Sequence, residues 1–475
     1  MNKAYVICDL AYGDTGKGTL TDFLCRYHNA DLVVRYNGGP QAGHNVVLPD
    51  GKHHCFAQFG SGTLAGVKLF ISKKMLIDLN SMQAEAEFLE RLGLENPYQF
   101  LLFDPMVQVI TPWHKMLGQI KEMIRDEQRH GSCGQGVGEA VRYQRKGFPL
   151  YLYQLLNKHD LRHKLKLLMM ETIAEVNYLM SSHYSPEVKE RYNWFTSEYS
   201  LAGLVKTYYE FAQRLKSQMV TFPDINDAKV VIFEGAQGIL LDPIKGFAPH
   251  ITKTRSTFHN VNAVTGDNVK SMPNVYEVVG VTRAYSHRHG AGPFVTETPE
   301  LQDHFQEQHN QTCQWQGTFR FGWFDLLATR YAIDVNDGVD WLALNCLDQL
   351  TGFRKIKICT SYEYFGDRQR LEGLFHWRGL EPNKAEIFAF RVPGDTCLTN
   401  LEEKEVTKIL FNCKPLSFIE FDGWTDDLST AKSWDDLPNQ AKNFITFLQS
   451  PIGLGVPIKL ISVGPTHKHK FFIEN

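Results

Sequence analysis

Tyr12-Gly13-Asp14-Thr15-Gly16-Lys17-Gly18-Thr19 is the stretch on which the fold turns. The apolar run Ala4-Tyr5-Val6-Ile7-Cys8 precedes it and reads as a buried strand. Leu20-Thr21-Asp22-Phe23-Leu24 follows and reads as the first turns of a helix. Gly13, Gly16 and Gly18 let the backbone approach an anion closely, and the helix start adds unpaired N–H groups at a positive dipole end. Lys17 supplies a point charge for a phosphate. Asp14 is out of place in a loop that only cradles phosphate, because a carboxylate repels the ligand unless it holds a metal ion or takes a proton. The stretch predicts a strand–loop–helix unit where phosphate chemistry happens. Its spacing is not that of the common P-loop, so a ligand-free Gly-rich turn is the competing reading of this stretch taken alone.

A second segment, Val33-Val34-Arg35-Tyr36-Asn37-Gly38-Gly39-Pro40-Gln41-Ala42-Gly43-His44-Asn45, again runs from an apolar strand into a Gly-rich loop and ends on a histidine. Further apolar, β-branched runs stand at 67–72, 229–233, 276–282, 341–345 and 355–360, beside those at 4–8 and 31–36. Continuous runs of this kind suit parallel strands buried on both faces. Thr111-Pro112 reads as the N-cap and first residue of a helix to about residue 128. Residues 151–217, rich in Leu, Lys, Glu and Tyr, read as amphipathic helices. The expected architecture is one α/β domain over 1–475, with a large, mainly parallel central sheet, flanking helices, a helical excursion at 151–217, and loops at strand C-termini forming the site.

Composition excludes several classes. A formal net charge of −3 gives no electrostatic case for nucleic acid or a membrane as partner. The nine cysteines are scattered and odd in number without a C-x-x-C pair, which argues against a disulfide framework or zinc site and for a reducing, cytoplasmic setting. The chain enters a strand at once, so no signal peptide is expected, and no apolar run approaches the ~20 residues that span a bilayer.

More motifs follow in order: Phe233-Glu234-Gly235-Ala236-Gln237-Gly238 leading to Leu241-Asp242, Pro249-His250-Ile251-Thr252, Ala284-Tyr285-Ser286-His287-Arg288-His289-Gly290, Gly322-Trp323-Phe324-Asp325, Leu347-Asp348, Val456-Pro457-Ile458 and Ile461-Ser462-Val463-Gly464-Pro465. With the two loops, this series resembles the adenylosuccinate synthetase family along nearly the whole chain. That family is marked by a Gly-Asp-Glu-Gly-Lys-Gly loop and an Arg-Tyr-x-Gly-Gly-x-x-Ala-Gly-His loop.

The resemblance implies a P-loop-related α/β fold and a two-step ligase. GTP phosphorylates the 6-oxygen of inosine monophosphate (IMP), and L-aspartate then displaces the phosphate. A carboxylate base must take the N1 proton of the lactam. Asp14 matches that base and also a Mg²⁺ ligand, with the backbone carbonyl of Gly43 as the other protein contact. His44 matches the histidine that stabilises charge on the transferring phosphoryl group, Lys17 a phosphate contact, and Gln237 the glutamine beside the purine. The nucleotide contacts implied are Gly13, Thr15, Gly16, Gly18, Gln41, Ala42, Gly43, Ser132, Cys133, Leu241, Thr252, His289, Arg320, Asp348, Ser462 and Gly464. Arg145 corresponds to an arginine that a neighbouring subunit lends to the 5′-phosphate, which implies a homodimer.

The departures from the family cluster. Gln314-Trp315-Gln316-Gly317-Thr318-Phe319-Arg320-Phe321 keeps one arginine where the family has several to grip the aspartate carboxylates. Asn345-Cys346-Leu347-Asp348 lacks the family's lysine next to the guanine-reading aspartate. Ser132-Cys133 replaces paired threonines, and a thiol donates weakly. Thr15 stands for the usual glutamate, and His289 for a valine near the sugar. Three readings stay open: an ordinary synthetase with an unusual loop; a relative that keeps GTP-driven activation but uses another nucleotide, sugar or amine; and a weakly catalytic GTP- or purine-nucleotide-binding regulator. His467-Lys468-His469-Lys470 is expected to be a solvated tail.

Overall fold

Eight parallel strands and one antiparallel edge strand form the central sheet. The computed structural model describes all residues except 127–129, 223–227, 306–314, 316, 392–399 and 474–475. The central sheet comprises β1 (Lys3–Asp9), β2 (Leu32–Arg35), β3 (Lys68–Ile71), β4 (Leu101–Phe103), β5 (Val230–Glu234), β6 (Tyr276–Arg283), β7 (Trp341–Asn345), β8 (Ile458–Ser462) and β9 (Lys470–Phe472). Their spatial order is β9-β8-β7-β6-β1-β5-β2-β3-β4. All neighbours pair in parallel except β8 and β9. From Ala4 to Asp9 every residue of β1 is buried, as the unbroken apolar run demands of a central parallel strand.

Helix α1 (Lys17–His28) leaves the C-terminal end of β1. Gly16 caps it in a left-handed conformation (φ +91), and no side chain bonds its first N–H groups. Arg26 and His28 in its last turn oppose the carbonyl end of the dipole. Helices α2 (Leu79–Arg91) and α3 (Pro112–Arg125) follow. The helix read to about residue 128 ends at Arg125, and 127–129 lie outside the described residues. Next comes α4 (Val137–Arg145), and then α5 (Lys158–Ser182), α6 (Pro186–Glu198) and α7 (Leu201–Arg214) fill the stretch read as helical. Helix α5 buries Leu161, Leu165, Leu168, Thr172 and Val176, one face at helical spacing, and packs on α3 and α7. Each of those leucines contributes roughly 1.5–3 kcal/mol by burial.

Six of the seven apolar runs lie in the central sheet. The seventh, at 355–360, does not. It opens strand Lys355–Phe365 of a second sheet, where it pairs antiparallel with Cys413–Asp422 and Lys384–Phe390. Its alternation explains the difference: Ile356 and Ile358 are buried while Lys355 is exposed, the pattern of a strand with one wet face. Among the described residues no helix is long and apolar enough to cross a membrane.

Candidate active site

The Gly-rich loop is organised from below by Asp9, the last residue of β1. Its Oδ1 accepts the N–H groups of Ala11 (2.9 Å) and Gly13 (3.3 Å). Its Oδ2 accepts the Thr15 hydroxyl (2.6 Å) and Lys17 Nζ (2.5 Å). Two partners here were not legible in the sequence. Thr15 is fully buried and its side chain ties the loop together instead of facing a ligand. Lys17, 4 % exposed, is paired with Asp9. Position 18 must be glycine, because a Cβ there would stand 2.8 Å from the His44 carbonyl carbon, and α1 packs directly on the second loop. The loop's far side is held by Arg283 Nε on the Asp14 carbonyl (2.8 Å), His287 Nε2 at Gly13 O (2.6 Å) and Asn345 Nδ2 on Thr15 O (2.7 Å).

Asp14 takes a left-handed conformation (φ +56). Burial pushes its carboxyl above the ordinary value, while Lys17, Arg283 and His289 pull the other way. The result is a carboxylate with raised proton affinity at the loop's crest.

The second loop delivers His44. Parallel register sets Ile7, Glu234 and Arg35 level at the sheet's carboxyl edge. Glu234 Oε1 meets His44 Nδ1 at 2.6 Å, and Glu234 also accepts the Ser61 N–H (3.2 Å) and the Ser61 hydroxyl. Burial alone would raise Glu234, but the hydrogen bond to His44, the nearby Arg35 guanidinium and Ser61 keep its carboxylate low. Burial lowers His44 to about 4 despite Glu234, so the resting ring is neutral. Its Nδ1 proton bonds Glu234, and its Nε2 is buried with no partner.

Beside the loop lies a cavity of about 460 Å³. Eight residues singled out from sequence line it: Gln41, Ser132, Cys133, Arg145, Gln237, Leu241, Thr252 and His289. Both amide atoms of Gln41 and Nε2 of His289 are buried without partners, which marks a polar ligand's place. A Cβ on Gly13 would lie 3.9 Å from Gln237 Cα, so the loop and the cavity adjoin. Arg145 stands exposed at the cavity rim.

Arg320 is not brought there. It pairs with Glu297 (2.7 Å) and donates to the carbonyls of Gly290 (2.7 Å) and Gly292 (2.9 Å), so the arginine expected at the ligand is engaged by the chain itself. Gln314 and Gln316 of that loop lie outside the described residues. Phe319, in the same loop, stacks on His287 (5.4 Å between ring centroids). Ala42 is buried, with its N–H on Gly39 O (3.1 Å), and Gly43 lies at Cys55, whose Sγ a Cβ there would approach to 3.3 Å. Asp348 Oδ1 is buried and unpartnered. Ser462 ends β8 beside this segment, its carbonyl taking the Leu347 N–H (3.2 Å), and Gly464 follows two residues on. Sequence reading missed Asp9, Glu234, Arg283 and Asn345. Of these Glu234 and Asn345 lay inside quoted motifs and carried a local signal; Asp9 and Arg283 did not.

A helix start left without a side-chain cap, beside a buried imidazole with one open nitrogen on the carboxyl edge of a parallel sheet, marks an α/β enzyme that moves phosphoryl groups. Comparison with known proteins places it more closely. The adenylosuccinate synthetase family model matches residues 6–471. The adenylosuccinate synthetase of Ligilactobacillus salivarius is 30% identical over 481 residues, covering 100% of this chain and 99% of the relative. That of Alkaliphilus metalliredigens is 31% identical, covering 99% and 98%. The fully ligated adenylosuccinate synthetase structure from Plasmodium falciparum superposes over the whole of both chains with a TM-score of 0.79 at 23% identity, which shows a shared fold. The chain belongs to the adenylosuccinate synthetase family and is a GTP-dependent ligase of IMP and aspartate. Similarity over its full length favours neither the regulator nor the altered-substrate reading.

Proposed function

We propose that Asp14 and His44 carry the chemistry of this ligase. Asp14 takes the N1 proton of a purine such as IMP, so that O6 attacks the γ-phosphorus of GTP; an amine such as L-aspartate then displaces the phosphate from C6. The observation that carries this reading is His44 itself: a neutral ring anchored by Glu234, with an open nitrogen beside the Gly-rich loop. Charge on the transferring phosphoryl group would draw a proton onto that ring and be stabilised by it. Gln41, Gln237, Thr252, Ser132, Cys133, Leu241 and His289 would receive the purine nucleotide, and Lys17 with the backbone of 16–18 at the uncapped helix start the phosphates of GTP, beside Gly13 and Thr15.

Among the described residues no three His, Cys, Asp or Glu side chains gather into a metal cage. The Asp14 carboxylate and the Gly43 carbonyl are hard oxygen donors, and a two-donor set suits Mg²⁺, which keeps waters and takes phosphate oxygens. Those two groups would hold the ion, which would neutralise charge on the phosphates. Asp348 would accept from guanine N1 and N2, with Ser462 and Gly464 lining the base.

We further propose that the chain acts as a single unit over 1–475, with the 151–217 helices an excursion from it. We place it in the cytoplasm, as the scattered, odd-numbered cysteines suggest, and as a homodimer in which the exposed Arg145 reaches the partner's 5′-phosphate. The test is phosphate release from GTP with IMP and aspartate, with the product identified by mass. Mixing the Arg145→Ala and Asp14→Asn variants should restore activity to the mixture. No succinylated nucleotide from any of these substrates would overturn the assignment.

A further inference from the structure

The run 467–470 is not a solvated tail. Lys470 opens β9 in register with Ser462 and is 5 % exposed. His469 lies against Gly464, where an added Cβ would meet the ring at 2.8 Å, so the turn closes directly onto the Ser462–Gly464 backbone. Lys470 Nζ donates one hydrogen to Thr466 O (3.0 Å). Burial lowers it to about 8, and the charges that support it are Asp22 and Asp348, with the Cys346 thiol nearby. Asp348 in turn gives Oδ2 to Gln349 Nε2 (3.0 Å) and leaves Oδ1 buried without a partner. Ser462 links the two groups: it lies opposite Lys470 across β8 and β9, and its carbonyl takes the N–H of Leu347, the residue before Asp348 (3.2 Å), while no ion pair joins ammonium and carboxylate among the described residues.

We propose that Lys470 is the base-reading cation of the GTP site, forming with Asp348 a donor–acceptor pair specific for a 6-oxopurine. This rests on the reading that Asp348 faces the base of GTP. Guanine sets N1–H beside O6, so one edge offers a donor to Asp348 and an acceptor to an ammonium. Adenine offers the reverse, an unprotonated N1 and an amino group, which would leave carboxylate against lone pair and ammonium against N–H. Position 346, two residues before Asp348, carries a thiol, which donates too weakly to read O6. The cation must then come from elsewhere, and strand β9 brings one.

The experiment compares the full-length protein with Lys470→Met, Lys470→Gln and Lys470→Arg in calorimetric binding of GTP, ITP and ATP. ITP keeps N1–H and O6 but lacks the 2-amino group. Loss of the methionine variant's contact should weaken GTP and ITP alike, by about 10- to 100-fold for one charged hydrogen bond, and leave ATP unchanged. Arginine should recover part of the preference and glutamine less. If Lys470 only supports the fold, the unfolding midpoint falls while the GTP-to-ATP ratio stays at the wild-type value, and the proposal is overturned. A wild-type protein that does not prefer GTP overturns the reading of Asp348 as well. A wild type that prefers GTP, an Asp348→Asn variant that loses the preference and a Lys470→Met variant that keeps it would reject the lysine alone.

Discussion

Replacing Glu234 by Gln isolates the one charge that holds the catalytic histidine. Gln keeps the volume and can still accept the Nδ1–H of His44, now 2.6 Å from Glu234 Oε1. What disappears is the negative charge opposite the ring when the ring becomes an imidazolium. At an effective dielectric near 20 and a charge separation of about 4 Å, that attraction is about 4 kcal/mol. Reorientation of Ser61 and the buried Arg35 would recover part of it, leaving about 2–4 kcal/mol, or roughly 30- to 1,000-fold in kcat. Resting His44 is neutral, lowered to about 4 by burial, so nucleotide binding does not draw on the lost charge. The assay is phosphate release at saturating substrates, with GTP affinity measured separately by calorimetry. We expect kcat to fall and the GTP Kd to stay within about threefold of wild type, a split that separates positioning from binding. A kcat near the wild-type value, or a loss that appears only in GTP affinity, would refute the argument and make the pair a structural contact.

Asp14→Asn should cut phosphate release by about 10²–10⁴-fold, the usual cost of removing a general base; near-normal turnover sinks its role. Asp9→Ala unpairs the buried Lys17 and frees the loop, and urea unfolding should show a loss of about 3–5 kcal/mol; less than about 1 kcal/mol would mean that Asp9 does not organise the loop. Asp325 is pushed up from 3.8 to about 6, chiefly by burial, so its contribution to stability is full below about pH 3.8 and is lost as pH rises through about 6. Asp325→Asn should therefore flatten the stability profile across that window by about 3 kcal/mol, read from urea unfolding at pH 4 and pH 7; identical slopes for wild type and variant would exclude it. Because Arg320 is engaged by Glu297 and two carbonyls, Arg320→Ala should lower the unfolding midpoint more than it changes KM for aspartate, and that KM should lie above the millimolar range common for substrates; micromolar saturation by aspartate would contradict it.

The central sheet was legible because parallel strands buried on both faces must be apolar throughout, as 4–8 and 341–345 are. The Gly-rich loop was legible because the demands of an anion on backbone and helix start are local, within eight residues. Strand 355–365 was misassigned because its short apolar run looks alike in either sheet, and pairing partners sixty residues away chose between them. The chain alone named His44 and Thr15 but could not say what holds them. Glu234 reaches His44 across 190 residues, and Asn345 reaches Thr15 across 330. Those contacts exist only because crossovers set β5 next to β1 and β2 in one register, and β7 two strands away. The same dependence turned Lys470 from a tail residue into a buried charge, since burial is decided by what packs over a residue and not by its own neighbours in sequence. Sequence specified which groups the chemistry needs; the tertiary structure decided their partners, and with them their charge.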